Sequence, residues 1–412
     1  MRQAHGHRSV SAIGGVPAIG GALTLLVGLA LGAPQAAAYE PLVEKKTFEI
    51  DRYTTVNGET IQNLKVGWEA YGSLNKTQDN VILVTHYFSG TSHAAGRYSE
   101  DGARGYWDSI IGSGKPLDTD KYYVISIDTP VNLNTGDPNV VTTGPASTNP
   151  ETGKPYGMDF PILSIADFVR VQRSLLTSLG IDELHAVMGA SMGALQAYEW
   201  AARYPDKVER VVPVIGNGYA DAFLIGWLDV WAAPIRLDPN WNGGDYYGGE
   251  PPTDGLAAAL KTVTLHAQAW PWAQETFGRN WASEGADPAT AFDNQYAVQA
   301  ALDKAARDRA AKSDANHFLY LVKANQLFAA GHTGSVEDGL KAIDAPVLML
   351  PAEGDLVFFS GLTDRTQELI AADGTPVERA RIDGKRGHLN GVLNIAQHGD
   401  RIAEFLAREV GK

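Results

Sequence analysis

A pentapeptide of the type G-x-S-x-G carries the first chemical signal in this chain. Residues 189–193 read Gly-Ala-Ser-Met-Gly, and they follow an apolar run at 184–188. A serine on a sharp turn between a strand and a helix presents its hydroxyl as a nucleophile. Glycines are needed beside it because side chains there would collide with the neighbouring strand and helix. The pattern also occurs by chance, so its weight depends on the residues that could assist Ser191.

A serine hydroxyl attacks an ester at neutral pH only with a base beside it, and the base needs an acid to orient it. When the serine lies on such a turn, the acid and then the histidine follow it along the chain. Asp355 comes after an apolar segment at 346–350, and His388 comes after an alternating segment at 377–382. Alone, either could be a turn or surface residue. Together they predict a triad of Ser191, His388 and Asp355 at the carboxyl ends of strands.

The oxyanion of such a reaction is held by backbone amides. One should be the amide of Met192, directly after the nucleophile, and the other should come from the loop that follows a strand at 81–85. We assign the second to Phe88. His86, in the same loop, is interpreted as a structural hydrogen-bonding residue. The remaining histidines lack the spacing of metal ligands, so we expect no metal, and we also expect no cofactor.

The first 38 residues read as a targeting segment. Arg2 and Arg8 supply positive charge, an apolar stretch covers 19–31, and three alanines end at Ala38. This pattern predicts a secretory signal peptide cleaved after Ala38, and hence a periplasmic or secreted protein, because the apolar stretch is too short to span a bilayer. An uncleaved anchor is the alternative. No later segment is apolar enough to predict a membrane span.

Composition narrows the classes of partner. Removing residues 1–38 changes the formal charge from −14 to −16. An acidic surface argues against nucleic acid and anionic membranes as partners. The chain has no cysteine, which excludes disulfides, thiolate metal sites and a cysteine nucleophile. The remaining length suits one large domain or a core with an insertion.

Strand and helix patterns alternate before residue 216, which predicts an α/β fold with a mostly parallel sheet and helices on both faces. Strands are predicted at 64–69, 81–85, 122–127, 184–188 and 208–215, and a helix at 164–179. Helical patterns then dominate, at 255–269, 292–312 and 316–330, until strands return at 346. We therefore expect four segments, namely the signal peptide (1–38), a first core part (39–216), a helical lid (217–339) and a second core part (340–412).

Tryptophans are concentrated in the predicted lid. They could pack the lid or a dimer contact, or they could line a pocket for an apolar acyl group. The six residues concerned are Trp227, Trp231, Trp241, Trp270, Trp272 and Trp281.

Several longer stretches resemble the homoserine O-acetyltransferases of the α/β-hydrolase superfamily. The resemblance runs from about Lys65 to the C-terminus, and it is carried by GYWD at 105–108, TGPAS at 143–147, NPETGKPYG at 149–157, DPNWNGGDYY at 238–247 and DAN at 314–316. It implies an α/β-hydrolase fold with a helical lid, which is often a homodimer through the lid. Ser191, Asp355 and His388 coincide with the family's catalytic positions.

Two positions depart from what the resemblance implies for homoserine. Members that use it carry an acidic residue after the catalytic histidine and a lid arginine, whereas this chain has Leu389 and Ala232 there. An unpaired amine and carboxylate would be costly to bury. Outside the cytoplasm, moreover, acyl-CoA is not normally available.

We therefore expect an exported serine esterase or acyl hydrolase acting on a small-molecule ester. The alternative is an O-acyltransferase that uses acyl-CoA or another acyl donor with a hydroxylated acceptor. A third interpretation is an inactive binding or scaffold protein.

Overall fold

An eight-stranded sheet forms the centre of the computed structural model, which describes residues 42–332 and 335–410. Its strand order is β1-β2-β6-β3-β7-β8-β9-β10. The pairings of β1 with β2 and of β2 with β6 are antiparallel, and those from β6 to β10 are parallel. The strands are β1 (Lys46–Thr54), β2 (Thr60–Tyr71), β3 (Val81–Thr85), β6 (Tyr123–Ile127), β7 (Ala186–Ala190), β8 (Val211–Val214), β9 (Val347–Met349) and β10 (Val377–Arg379), and the short β4 (Ile111–Gly112) and β5 (Leu117–Asp118) pair separately.

Helices cover both faces of this sheet, as the sequence predicts. Successive side chains of a strand point to opposite faces, so Leu83 belongs to one buried cluster and Val84 to another. The first cluster includes residues of α1 and α2, and the second includes residues of α11. The helices are α1 (Ile165–Ser178), α2 (Met192–Arg203), α3 (Ala222–Leu237), α4 (Thr253–His266), α5 (Trp270–Thr276), α6 (Ala297–Ala310), α7 (Ala315–Gln326), α8 (Val336–Lys341), α9 (Ser360–Ala371), α10 (Asn390–Leu393) and α11 (Gly399–Ala407).

Helices α3 to α7 form a helical insertion between β8 and β9. Within it, α4 packs against α3 and α6, and α3 also packs against α7. The insertion lies over the carboxyl ends of the strands, because Trp231 of α3 packs edge-to-face on Phe88 in the loop after β3. It therefore covers the edge of the sheet at which parallel strands present their functional loops.

The structure differs from the sequence prediction in a few elements. The hairpin of β1 and β2 forms the antiparallel edge of the sheet. The sequence analysis predicted part of β2 but not β1. Helix α3 was missed because Gly226 and Pro234 interrupt its helical signal. Strand β7 begins at Ala186 and runs to Ala190, so Ser191 follows the strand directly. The predicted signal peptide lies outside the described residues, among which no helix is long and apolar enough to cross a membrane.

Candidate active site

Ser191 occupies a strained turn between β7 and α2. Its φ and ψ are 56° and −119°, a conformation that non-glycine residues rarely adopt. The backbone of Ser191 is tied to β8, because its N–H donates to the Val214 carbonyl at 2.9 Å. The turn thus holds the serine at the carboxyl end of the central strand.

The glycines on both sides of Ser191 are required by close backbone packing. A Cβ at Gly189 would lie 2.1 Å from Oγ1 of Thr85. A Cβ at Gly193 would lie 2.1 Å from the backbone carbonyl oxygen of Thr85. Because α2 is pressed this closely onto β3, the serine can sit only on a turn that glycines flank.

The side chains of Ser191, His388 and Asp355 form a continuous hydrogen-bonded chain. Nε2 of His388 lies 2.8 Å from Oγ of Ser191, and Nδ1 lies 2.8 Å from Oδ2 of Asp355. The side chains of His388 and Asp355 are 8% and 5% exposed. Such a chain can move the serine proton onto the imidazole while the carboxylate holds the ring in the required tautomer.

The loop after β9 fixes Asp355 in place. Its Oδ1 accepts hydrogen bonds from the amides of Val357 at 2.8 Å and Phe358 at 3.0 Å, which leaves Oδ2 for the histidine. The ring of Phe358 also lies 5.7 Å from that of His388. The carboxylate is therefore oriented by its own turn.

The two amides predicted for the oxyanion belong to the start of α2 and to the loop after β3. Met192 is the first residue of α2, so its N–H has no acceptor within the helix. Phe88 is the second residue of a turn closed by the N–H of Gly90 and the carbonyl of Tyr87 at 2.8 Å. Within the described part of the chain, neither amide donates a hydrogen bond, so both remain available to a developing negative charge.

A buried ionic cluster supports the loop that carries Phe88. Glu69 of β2 is inaccessible and lies 2.9 Å from Nζ of Lys45 and 3.1 Å from Nδ1 of His93. Burial alone would raise the pKa of Glu69, but His93 and Lys45 outweigh it and lower that pKa to about 2. The N–H of Ser92 also donates to the buried Asp128 at 2.6 Å. The end of the loop is thereby anchored to β2 and to the residue after β6.

His86 is a structural residue, as its place in the sequence indicated. Its Nε2 accepts from the N–H of Thr129 at 3.1 Å, and its Nδ1 donates to the carbonyl of Tyr87 at 2.8 Å. Burial lowers its pKa, so the ring stays neutral. Among the residues that the structure describes, no group of three or more histidines and acids could hold a metal ion.

His266, at the end of α4, is a site residue that sequence reasoning missed. Its Nδ1 accepts from Nε1 of Trp231 at 3.2 Å, and its Nε2 donates to the carbonyl of Leu356 at 2.8 Å. The ring of Trp227 stacks on it at 4.1 Å. The helical insertion is thus bonded to the loop that carries Asp355. His266 is in the helix that follows the one carrying Trp227 and Trp231. No local sequence pattern indicates that the three side chains are in contact.

The tryptophans of the insertion were expected either to pack the lid or a dimer contact, or to line a substrate pocket, and the structure shows different positions for them. Trp227 and Trp231 lie beside the loops of the site, whereas Trp272 packs in a small separate cluster. Trp270 and Trp281 are exposed at 74% and 44%. Trp241 is half-buried and donates from Nε1 to Oδ1 of Asn316 at 2.9 Å. The pair on α3 is therefore the one whose contacts reach the loops of the site.

The two positions expected to distinguish the substrate lie next to the site. Leu389 directly follows His388, and its N–H donates to the Ala267 carbonyl at 3.3 Å. Ala232 is buried in α3 beside Trp231. Neither side chain carries charge, so neither can pair with the ammonium or carboxylate of an amino acid.

In comparison with known proteins, residues 102–390 match the alpha/beta hydrolase fold family, which agrees with the sheet, the turn at Ser191 and the order of the site residues. The homoserine O-acetyltransferase of Symbiobacterium thermophilum is 39% identical over 359 residues, covering 85% of this chain and 90% of that protein.

Two solved structures are also similar. Esterase E22 is 49% identical, with a TM-score of 0.85, and the match covers 89% of this chain and 100% of that one. The homoserine O-acetyltransferase of Bacillus anthracis is 38% identical, with a TM-score of 0.86, covering 90% of this chain and 100% of that one. The chain belongs to the homoserine O-acetyltransferase family of the α/β-hydrolase superfamily. It is an enzyme of the acyltransferase or hydrolase kind.

Proposed function

We propose that this enzyme is an exported serine esterase or acyl hydrolase that works through an acyl-Ser191 intermediate. The observation that carries the proposal is the hydrogen-bonded chain from Ser191 through His388 to Asp355, with both contacts at 2.8 Å. Leu389 and Ala232 favour hydrolysis over transfer to homoserine, because they supply no counter-charges for an amino-acid acceptor. The 49% identity with a protein named an esterase points the same way.

The proposed reaction has two halves. Oγ of Ser191 attacks the ester carbonyl while Nε2 of His388 takes its proton, and the amides of Met192 and Phe88 hold the oxyanion. The C–O bond to the alcohol then breaks, and the imidazolium returns the proton to the departing alkoxide. Water next attacks the acyl group with His388 as base. The acid leaves, and the proton returns to Oγ.

An O-acyltransferase is the second candidate, and the relatives named homoserine O-acetyltransferase favour it. The two activities share the acyl-serine intermediate. They differ in whether water or an alcohol attacks its carbonyl and releases Ser191. An acyl donor such as acyl-CoA and a hydroxylated acceptor would then replace ester and water.

One assay separates these candidates. Residues 39–412 are incubated with short-chain 4-nitrophenyl esters, with and without acetyl-CoA and homoserine, beside Ser191→Ala. The hydrolase predicts steady release that needs neither addition and is lost in the variant. Turnover only with a donor and an acceptor would establish the transferase, and no acylation of Ser191 would favour a binding protein.

We also propose that the helical insertion acts as a lid and that it forms a homodimer contact. Apolar side chains of α3 are exposed, with Phe223 at 54%, Val230 at 50% and Leu237 at 81%. An exposed apolar row of this kind is typical of an interface. Light scattering on Leu237→Asp, which should yield monomer if the contact uses this face, tests the proposal.

Export after cleavage behind Ala38 completes the proposal, and it rests on the charged, apolar and small-residue segments at the N-terminus. N-terminal sequencing of protein from its native host should begin at Tyr39. Protein that begins at Met1 and stays in the cytosol would contradict export and leave the catalytic proposal standing.

A further inference from the structure

His266, the last residue of α4, is buried and makes two hydrogen bonds that fix its tautomer. Nε1 of Trp231 can only donate, so Nδ1 of His266, at 3.2 Å, accepts from it. The carbonyl oxygen of Leu356 can only accept, so Nε2 of His266, at 2.8 Å, donates to it. The ring is therefore neutral with its proton on Nε2, and it joins the helical insertion to the loop after β9.

The bond from His266 to Leu356 ends on the peptide unit that holds Asp355. The carbonyl of Leu356 and the N–H of Val357 belong to this one planar unit, so they cannot move independently. That N–H donates to Oδ1 of Asp355 at 2.8 Å. A donor on the carbonyl also polarises the unit and strengthens its N–H as a donor. His266 therefore reaches, through one rigid peptide, the carboxylate that orients His388.

The segment that follows α4 also contacts the loop that carries the histidine of the triad. The carbonyl of Ala267 accepts from the N–H of Leu389 at 3.3 Å. Gly387 lies so close to the same segment that an added Cβ would be 3.1 Å from the Cβ of Ala269. The end of α4 is therefore packed against the loops of both the acid and the base, and the bond made by His266 is part of a continuous contact.

We propose that His266 is a positioning residue that fixes the carboxylate of Asp355 through the peptide unit of Leu356. The inference rests on the proposed function, because it concerns the orienting acid of that reaction. A catalytic group displaced by about 1 Å can cost up to about 100-fold in rate, so this bond affects catalysis although it touches no substrate. Trp231 holds the other side of the ring and packs edge-to-face on Phe88 at 5.7 Å. His266 thus also links the loop of the acid to the oxyanion loop.

Two substitutions separate the two bonds of His266. In His266→Asn, the amide oxygen can still accept from Trp231, but the side chain is too short to reach Leu356. In His266→Gln, the amide nitrogen reaches the place of Nε2 and can donate to Leu356. With 4-nitrophenyl acetate, we expect kcat of His266→Asn to fall about 10- to 100-fold while KM stays within about threefold. His266→Gln should keep kcat within about fivefold of wild type.

His185→Asn is the matched control. Nε2 of His185 donates to the Leu406 carbonyl at 2.8 Å, and its Nδ1 accepts from Nη1 of Arg210 at 3.2 Å, so its two bonds are of the same kind and length as those of His266. His185 precedes β7 whereas Ser191 follows it, so the two lie at opposite ends of that strand. The control variant should unfold at lower urea concentration and keep kcat within about twofold of wild type.

Two further variants keep the proposal falsifiable. His266→Phe keeps an aromatic ring against Trp227 and makes neither bond, so it takes the place of His266→Asn if that variant does not fold, and it should lose kcat to the same extent. In an Asp355→Asn background, His266→Asn should lower kcat by less than about twofold, because its effect passes through Asp355. Equal kcat in His266→Gln and His266→Asn, or an additive loss in the double variant, would overturn the inference. No ester hydrolysis by wild type would overturn the proposed function instead.

Discussion

Replacing Asp355 with asparagine should abolish catalysis while leaving the fold intact. Oδ1 of Asp355 accepts the amides of Val357 and Phe358, and an asparagine oxygen can keep both bonds. Oδ2 faces Nδ1 of His388, and there the variant places an NH₂ group. That group donates to Nδ1, so the proton moves to Nε2, which faces Ser191. The imidazole is then in the tautomer that cannot accept the serine proton.

The expected magnitudes follow from these contacts. The wrong tautomer should lower kcat about 10⁴-fold, as the equivalent change does in serine proteases. The free energy of unfolding should change by less than about 1 kcal/mol, because no backbone bond is lost. Asp355→Ala should cause a similar loss of activity but also remove both turn bonds, costing about 1–3 kcal/mol.

The assay is 4-nitrophenyl ester hydrolysis at saturating substrate, together with urea unfolding of each variant. Glu353→Gln is the matched control, because this carboxylate lies on the same loop and is half-exposed. It should retain wild-type kcat. If Asp355→Asn kept kcat within tenfold of wild type, or if Glu353→Gln lost it, the assignment of the orienting acid would be refuted.

Three further predictions concern the support of the site. Burial raises the pKa of Glu199 on α2 from 4.5 to about 7. The free energy of unfolding of the wild type should therefore fall as pH rises between these two values, by at most about 3 kcal/mol. Urea titrations of Glu199→Gln at several pH values should not show this decrease. Gly193→Ala puts a Cβ 2.1 Å from the carbonyl oxygen of Thr85, and it should cost about 1–3 kcal/mol in calorimetry and lower kcat. Trp231→Phe keeps an aromatic ring but loses the bond to His266, which should cost about 1 kcal/mol of unfolding free energy above pH 7. The cost should shrink as acid protonates the histidine, whose pKa burial lowers. A pH-independent cost would exclude that bond as its source.

The residues of the proposed triad were predictable because each lies in the segment that follows a strand of the parallel sheet: Ser191 directly after β7, Asp355 after β9 and His388 after β10. A short apolar run followed by glycine, serine or aspartate is a local pattern, and parallel strands bring their carboxyl ends to one edge of the sheet. The contact of Ser191 with His388 spans 197 positions in sequence, yet it required no information beyond that topology.

The helical insertion was harder to predict in detail. Its existence followed from the loss of strand signal, but its helix α3 contains Gly226 and Pro234, which weaken a helical pattern. The contacts of His266 depend on how α4 packs against α3 and against the loop that carries Asp355. Helix packing is set by three-dimensional fit over many side chains, so single-residue patterns do not encode it.

A covalent acyl-Ser191 intermediate that is hydrolysed by water is the central step of the proposed mechanism. Wild type is mixed with 4-nitrophenyl acetate, quenched within one turnover and analysed by intact-mass spectrometry and peptide mapping. We predict a single acetyl group on Ser191, absent from Ser191→Ala, that disappears in buffer at the turnover rate whether or not homoserine is present. An acetyl group that persists until an alcohol is added, or esterase turnover with no adduct at Ser191, would contradict it.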